Sequence, residues 1–231
     1  MPTLNDRLAM MREKAATTLK PEVAQLLERH LGELRTDGAA NHALTAGDVV
    51  PAFALLDLDG NRVSSAELLS KGPLVVSFYR GTWCPFCNEE LKALNDSYEH
   101  FRHLGASLVV ITPQSAASAG AYRAKHDIAF PMLVDPNADV AERFGLAYSF
   151  PAYLRDLYRN VFRNDLGRIN AAGTWRLPIP ARYVIDRNGT IVDAQVNADY
   201  RYRPDPEETL AAVAALTPLA SCASTRDHRA L

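Results

Sequence analysis

The sequence predicts an α/β fold in which buried strands alternate with helices. Residues 74–79 are an apolar run with two valines and two aromatic residues, which indicates a buried strand. Helical spacing of apolar residues follows over 85–104, a second buried strand is expected over 107–112, and a second helix over 116–127. Strand, helix, strand and helix in this order predict parallel strands joined by crossover helices.

Composition limits the classes of protein that the chain can represent. With 231 residues, 48% hydrophobic and 23% charged, it can bury a real core in one domain with additions at its ends. The net charge of -2 gives no reason to expect a nucleic-acid partner. No apolar run approaches the length of a membrane span, and the first residues lack the apolar segment of a signal peptide. We therefore expect a cytoplasmic protein without membrane attachment.

Residues 1–40 are expected to form an N-terminal helical hairpin. Leu4, Leu8 and Leu19 recur at helical spacing, Pro21 can open a second helix, and Asp37-Gly38 can end it. The hairpin is interpreted as a packing extension. The alternative is a partner-binding or dimerising arm, so a homodimer remains one of the expected possibilities.

The main domain is predicted over 41–216. Its remaining elements are a short hairpin around Asp59-Gly60, a brief extended piece over 130–135 with a helix over 136–144, an antiparallel hairpin over 182–196 and a last helix over 206–216. Residues 147–178 are expected to be an irregular insertion, part of it helical, that serves as an interface. Residues 217–231 are expected to be a disordered tail, with Cys222 as a passive thiol in it.

Cys84 and Cys87 are the candidate reactive residues. Pro85 suits the first position of a helix, which places Cys84 at its N-cap and Cys87 one turn further on. Unpaired N–H groups and the helix dipole favour an anion there, so the Cys84 thiol should have a lowered pKa, and Arg80 is expected to add positive charge. Cys87 is close enough in sequence to resolve an oxidised Cys84. A half zinc site and two inert thiols are the alternatives, but the chain offers no second paired cluster of ligands.

Several motifs, in order, resemble the peroxiredoxins, the alkyl hydroperoxide reductase/thiol-specific antioxidant family. They are Gly47-Asp48-x-x-Pro51-x-Phe53, Asp57-x-Asp59-Gly60, Val75-Val-Ser-Phe-Tyr79, Asp135 with Val140, Phe144 and Gly145, and Tyr183-Val-Ile-Asp186-x-x-Gly189. The resemblance implies a thioredoxin fold, with a mixed central sheet flanked by helices. It also implies thiol-dependent reduction of peroxides without a bound cofactor or metal.

The sequence departs from that family at two places. The threonine expected three residues before the reactive cysteine is Thr82, two before it, and the position of an expected arginine holds Pro180. Thr82-Trp83-Cys84-Pro85-Phe86-Cys87 instead resembles thioredoxin-like reductases, and Pro180 stands where thioredoxins carry a cis-proline. This resemblance implies a cis bond before Pro180, which would lie against the Cys84–Cys87 disulfide. Arg80 or Arg182 is expected to replace the missing arginine, and Trp83 and Pro85 to support the site.

The expected function is that of a peroxidase. Cys84 would reduce hydrogen peroxide or an organic hydroperoxide, Cys87 would form a disulfide with it, and thioredoxin or a similar dithiol would reduce that disulfide. Thr82 would hydrogen-bond the peroxide. Two alternatives stay open, a thiol–disulfide oxidoreductase that acts on protein disulfides and a redox-sensing binding protein.

Overall fold

The computed structural model describes residues 2–38 and 40–216. The described strands form a seven-stranded mixed sheet and a separate two-stranded sheet. In chain order they are β1 Ala54–Asp57, β2 Arg62–Ser64, β3 Leu74–Phe78, β4 Ser107–Thr112, β5 Met132–Val134, β6 Ala147–Ser149, β7 Arg176–Pro178, β8 Ala181–Ile185 and β9 Ile191–Val196.

The central sheet has the order β2-β1-β5-β4-β3-β8-β9. β3 lies between β4, to which it is parallel, and β8, to which it is antiparallel. All five residues of β3 are buried, as its run of apolar and β-branched side chains predicts. The mixed sheet confirms the predicted fold class. Because β3 is an inner strand of this sheet, the segment that follows β3 begins in the middle of the molecule.

Helices cover the sheet on both faces. The described α-helices are α1 Leu4–Thr18, α2 Pro21–Thr36, α3 Ser65–Lys71, α4 Pro85–Asp96, α5 Tyr98–His103, α6 Ala116–Lys125, α7 Asp139–Arg143, α8 Ala152–Asp156, α9 Leu166–Ile169 and α10 Pro206–Leu216, and a π-helix spans Leu157–Val161. The single helix predicted over 85–104 is interrupted at Ser97, which ends α4 and precedes α5. Among all the residues that the structure describes, no helix is both long and apolar enough to cross a bilayer.

The N-terminal hairpin forms as predicted and packs onto the main domain. α1 begins with a capping box between Thr3 and Asp6, which satisfies two backbone N–H groups. Leu4, Leu8 and Leu31 are buried in the same apolar cluster as both described cysteines. Since these side chains enter the core around the cysteines, α1 and α2 form one wall of the candidate site.

The segment over 147–178 is partly helical, as predicted, but it is regular where an irregular insertion was expected. β6 and β7 pair as an antiparallel ribbon, with Ala147 opposite Pro178, and they enclose α8, the π-helix and α9. Phe150, Leu154 and Leu177 are buried in a separate apolar cluster against which Leu27 of α2 packs. The prolines and glycines of this segment are typical of irregular structure. The pairing of β6 with β7 joins residues far apart in the chain, so local sequence patterns do not predict it. The predicted tail over 217–231 and Cys222 lie outside the described residues.

Candidate active site

A tight turn after β3 places the reactive cysteine at the start of α4. Gly81 has φ +146°, and a Cβ there would collide with the indole of Trp83. The N–H of Cys84 donates to the Gly81 carbonyl oxygen at 3.1 Å, and the N–H of Asn88 donates to the Cys84 carbonyl oxygen at 3.1 Å. Cys84 is therefore the N-cap of α4 and Pro85 its first residue, as predicted. Both cysteines are buried and free.

Arg80 holds a buried positive charge beside Cys84. Its Nη1 lies 3.9 Å from the Cys84 Sγ, and its Nη2 donates to the Tyr158 hydroxyl at 3.2 Å. The guanidinium carbon stacks 4.0 Å from the ring centre of Tyr200 and 4.8 Å from that of Trp83. Within the described chain these neighbours are phenols, an indole and a thiol, so the anion that can balance Arg80 is a thiolate.

The pKa values of the two cysteines diverge. Burial raises the pKa of Cys84, but the hydrogen bond from Cys87 and the charges of Arg80 and Arg203 outweigh burial and lower it to about 6. Burial and the proximity of Cys84 raise the pKa of Cys87 well above its usual range. The pair is therefore arranged as one thiolate, on Cys84, and one thiol that hydrogen-bonds to it.

A buried ion cluster lies behind Cys87. The Glu90 carboxylate accepts from Arg182 Nη2 at 2.7 Å, from Arg203 Nε at 2.5 Å and from the Ser77 hydroxyl at 3.2 Å. Arg203 Nη2 also lies 3.4 Å from the Cys87 Sγ. Burial raises the pKa of Glu90, but the two guanidinium groups outweigh it and keep that pKa below its usual value.

The cavity over Cys84 is lined mainly by apolar groups and has a volume of about 250 Å³. The turn after β3 and the start of α4 contribute Arg80, Trp83, Cys84, Pro85 and Phe86 to its lining. Tyr158 and Phe162 come from the π-helix segment, Tyr200 from the segment after β9, and the N-terminal hairpin contributes the remaining wall. The residues from the hairpin are Ala15, Leu19 and Leu27. A second cavity of about 120 Å³ shares the walls contributed by α1, α2 and Phe86. A molecule that reaches Cys84 by this route contacts carbon atoms for most of its surface.

Several predicted site residues lie elsewhere than expected. The Thr82 hydroxyl accepts from the Gln114 amide at 2.9 Å, and Thr82 is not among the residues that line the cavity. Arg182 is bound to Glu90 and to the Thr209 hydroxyl, so Arg80 is the arginine in contact with Cys84. Trp83 and Pro85 do line the cavity.

The prediction of a cis bond before Pro180 was wrong. No peptide bond in the described residues is cis. The Ile179 N–H donates to the Leu146 carbonyl oxygen at 2.8 Å, between the end of β7 and the start of β8. The chain thus runs from β7 directly into β8, without a tight turn that would favour a cis bond. Pro180 lines a different cavity from the one over Cys84.

Sequence reasoning missed the residues that come to the site from far along the chain. The sequence alone assigns no role to Glu90, Arg203, Tyr158, Tyr200 or Gln114. One signal was available in the sequence. Glu90 lies three positions after Cys87, on the same inward face of the helix, where an acidic residue needs a buried partner. The zinc alternative gains no support, because the described residues include no group of three or more potential ligands.

Comparisons with known proteins agree with this geometry. The model of the AhpC/TSA family matches residues 46–194. Peroxiredoxin Q of Gentiana triflora is 31% identical over 72% of this chain, and the match spans 65% of that relative, just under two thirds of its length. A putative peroxiredoxin of Mycobacterium tuberculosis, Rv2521, is 30% identical to this chain. The match covers 67% of this chain and 86% of the length of that relative.

Solved structures show the same fold. Peroxidoxin BcpB from Mycobacterium tuberculosis superposes with a TM-score of 0.59 at 23% identity, over 75% of this chain and 98% of that one. Mycobacterium tuberculosis AhpC superposes with a TM-score of 0.58 at 20% identity, over 79% of this chain and 98% of that one. On the family match and the identity to its relatives, the chain belongs to the AhpC/TSA family.

Proposed function

We propose that this chain is a thiol-dependent peroxidase whose reacting atom is the Cys84 sulfur. The observation that carries the proposal is a cysteine sulfur at the N-terminus of α4 that lies 3.9 Å from a buried guanidinium and lines a cavity. A thiolate is the nucleophilic form of cysteine, and a pKa of about 6 keeps Cys84 in that form near neutral pH.

In the first step the Cys84 thiolate attacks the distal oxygen of a hydroperoxide. The S–O bond forms as the O–O bond breaks, sulfur loses two electrons, and the released alkoxide takes a proton to leave as an alcohol. Arg80 stabilises the thiolate before attack and the oxygen that acquires charge during it, since its guanidinium lies beside the reacting sulfur.

In the second step Cys87, as a thiolate, attacks the Cys84 sulfenic acid. The S–S bond forms, the S–O bond breaks, and hydroxide leaves as water after it gains a proton. An external dithiol such as thioredoxin then restores both thiols by two exchanges, and is itself oxidised to a disulfide. Cysteines that must be reduced again after each cycle suit a reducing compartment, which supports a cytoplasmic location.

The cavity favours organic hydroperoxides over hydrogen peroxide. Burying an alkyl or aryl group against Leu19, Leu27 and Phe162 contributes about 25 cal/mol per Å² of apolar surface. Hydrogen peroxide has no such surface to bury. We therefore expect the preference to appear as a lower KM for cumene hydroperoxide than for hydrogen peroxide, with similar kcat.

A coupled assay tests the proposal. Loss of NADPH with thioredoxin and its reductase should depend on either peroxide in the wild type and be absent in Cys84→Ser. Reduction of insulin disulfides, measured alongside, tests the second candidate, which the Trp83-Cys84-Pro85-Phe86-Cys87 motif favours. Insulin reduction that depends on Cys84, without turnover of either peroxide, would overturn the proposal.

A further inference from the structure

We propose that Arg203 is a catalytic residue of the second half of the cycle, in which it stabilises the negative charge on Cys87. The inference rests on the proposed redox use of both cysteines. Arg203 follows β9 and lies beyond residue 194, where the match to the family model ends. Its contact with Cys87 joins residues 116 positions apart in the chain.

The first support is the balance of buried charge around the sulfur atoms. Arg80, Arg182 and Arg203 are all buried, whereas the described carboxylate among them is Glu90 alone. The other two strongly buried carboxylates have different partners: Asp135 accepts from backbone N–H groups of α7, and Asp199 is paired with Arg201 and Arg35. Guanidinium groups stay charged at all relevant pH values, so the cluster stabilises a negative charge on sulfur at each step of the cycle in which a thiolate forms.

The second support is the geometry of the Arg203 guanidinium. Nε donates to Glu90 at 2.5 Å, and Nη1 donates to the carbonyl oxygens of Tyr200 and Tyr202 at 2.5 and 2.7 Å. These three bonds fix the plane of the group, and Nη2 then points at the Cys87 sulfur, 3.4 Å away. A planar group held on two sides has no freedom to turn its remaining N–H donors elsewhere.

The third support comes from the segment that carries Arg203. Asp199 fixes its beginning through Arg201 and through Arg35 of α2, and Asp205 fixes its end by accepting from the backbone and side chain of Asn5 in α1. The N-terminal hairpin therefore holds the position of Arg203 as well as forming a wall of the cavity.

The position of Arg203 matters when the negative charge changes place. In the reduced protein the charge is on Cys84, and Cys87 keeps its proton. Conversion of Cys84 to a neutral sulfenic acid removes that charge, and Cys87 must release its proton before it can attack. Arg203 stabilises the thiolate that results. When an external thiolate later attacks the Cys84 sulfur, the S–S bond breaks and the electron pair goes to Cys87, which again leaves as a thiolate beside Arg203.

The test measures the pKa of Cys87 in a Cys84→Ser background, from the pH dependence of its alkylation rate. The charged or titratable groups that face Cys87 in this background are Arg203, Arg80, Tyr79, Tyr122 and Tyr158, with Glu90 behind Arg203. Arg203→Gln should raise the pKa of Cys87 by about one or more, because it removes the contacting cation. Glu90→Gln should lower it, because the carboxylate no longer offsets the positive charge of Arg203.

These opposite signs separate a catalytic role from a structural one. Loss of packing alone would move the pKa in the same direction in both variants, and that result, or no change in either, would overturn the proposal. If Arg203→Gln does not fold, the Glu90→Gln measurement decides by itself, since a raised or unchanged pKa refutes the proposal. The readout needs no peroxide, so a failure of the peroxidase assay and a failure of this inference are distinguishable.

A second measurement follows the reaction itself. One equivalent of cumene hydroperoxide is added to the reduced protein, and the Cys84 sulfenic acid is trapped with dimedone at increasing delays. Arg203→Gln should lengthen the lifetime of the sulfenic acid about tenfold or more at pH 7, as a rise of one in pKa lowers the thiolate fraction of Cys87 tenfold. Arg182→Gln is the matched control, because it removes a buried charge from the same carboxylate without touching sulfur. Equal lifetimes in the two variants would refute the proposal.

Discussion

Replacement of Arg80 by glutamine tests the electrostatic basis of the site. The guanidinium lies 3.9 Å from the Cys84 sulfur, and at an effective dielectric constant of about 20 a charge pair at this distance is worth about 4 kcal/mol. At 1.36 kcal/mol per pKa unit that corresponds to at most about three units. Because Arg203 and the hydrogen bond from Cys87 remain, we expect the Cys84 pKa to rise from about 6 to between about 7.5 and 8.5.

The assay is the rate of alkylation of Cys84 from pH 4.5 to 9.5, followed by mass spectrometry of its peptide. A lowered pKa means that the wild-type rate rises with pH through about 6 and is level above about 7.5. In Arg80→Gln the rise should shift to higher pH, and the thiolate fraction at pH 7 should fall from about 90% to about 25% or less. Arg102→Gln is the control, because it removes an equal charge from the exposed surface of α5. A midpoint within 0.3 of the wild-type value, roughly the resolution of such a titration, would refute the electrostatic argument.

Three further outcomes are expected. Peptide mapping of the peroxide-treated protein should show a Cys84–Cys87 bridge, and Cys87→Ser should accumulate Cys84 sulfinic acid; a bridge to the third cysteine as the main product would contradict this. Burial lowers the pKa of His30 to about 4, so its protonation favours the unfolded chain as the pH falls from 8 to 5. Over this range the free energy of unfolding should fall by about 2 kcal/mol more in the wild type than in His30→Phe, as chemical denaturation at both values would show, because Cys84 and the other titrating groups contribute equally in both proteins. Gly145→Ala should lower Tm by more than Gly60→Ala, because both have positive φ but a Cβ meets backbone atoms only at Gly145; equal losses would contradict this.

The sequence predicted the parts of the site that are local. Cys84 reaches the helix N-terminus because a buried strand, a glycine turn and Pro85 follow one another within a few residues, and each preference acts on its own neighbours. Strands β3 and β4, the hairpin of β8 with β9 and the helix over 206–216 were predictable for the same reason. Their apolar spacing shows directly which face turns inward.

Other parts of the site depend on long-range packing. Arg203 contacts Cys87 and Glu90 only because the segment after β9 folds back over α4, and charged residues in a sequence are usually assigned to the surface. Glu90 was misjudged for the same reason, since burial of a carboxylate requires partners that the local sequence does not contain. The prediction for Pro180 failed because it was carried over from a resemblance, whereas the chain around it continues from β7 into β8.

The wall built by α1 and α2 covers the two sulfur atoms of the proposed cycle. Cys84 is 1% exposed and Cys87 is fully buried, so a protein reductant cannot bring its own sulfur to either one while the hairpin is closed. Access for such a reductant is expected to require local unfolding of the hairpin, which would break the contacts of Arg7 with Glu89 and of Asn5 with Asp205 and would uncover Leu4 and Leu8. Turnover with a large reductant should therefore level off at the opening rate of the hairpin, however much reductant is added. A small dithiol that fits the cavity should be free of that limit.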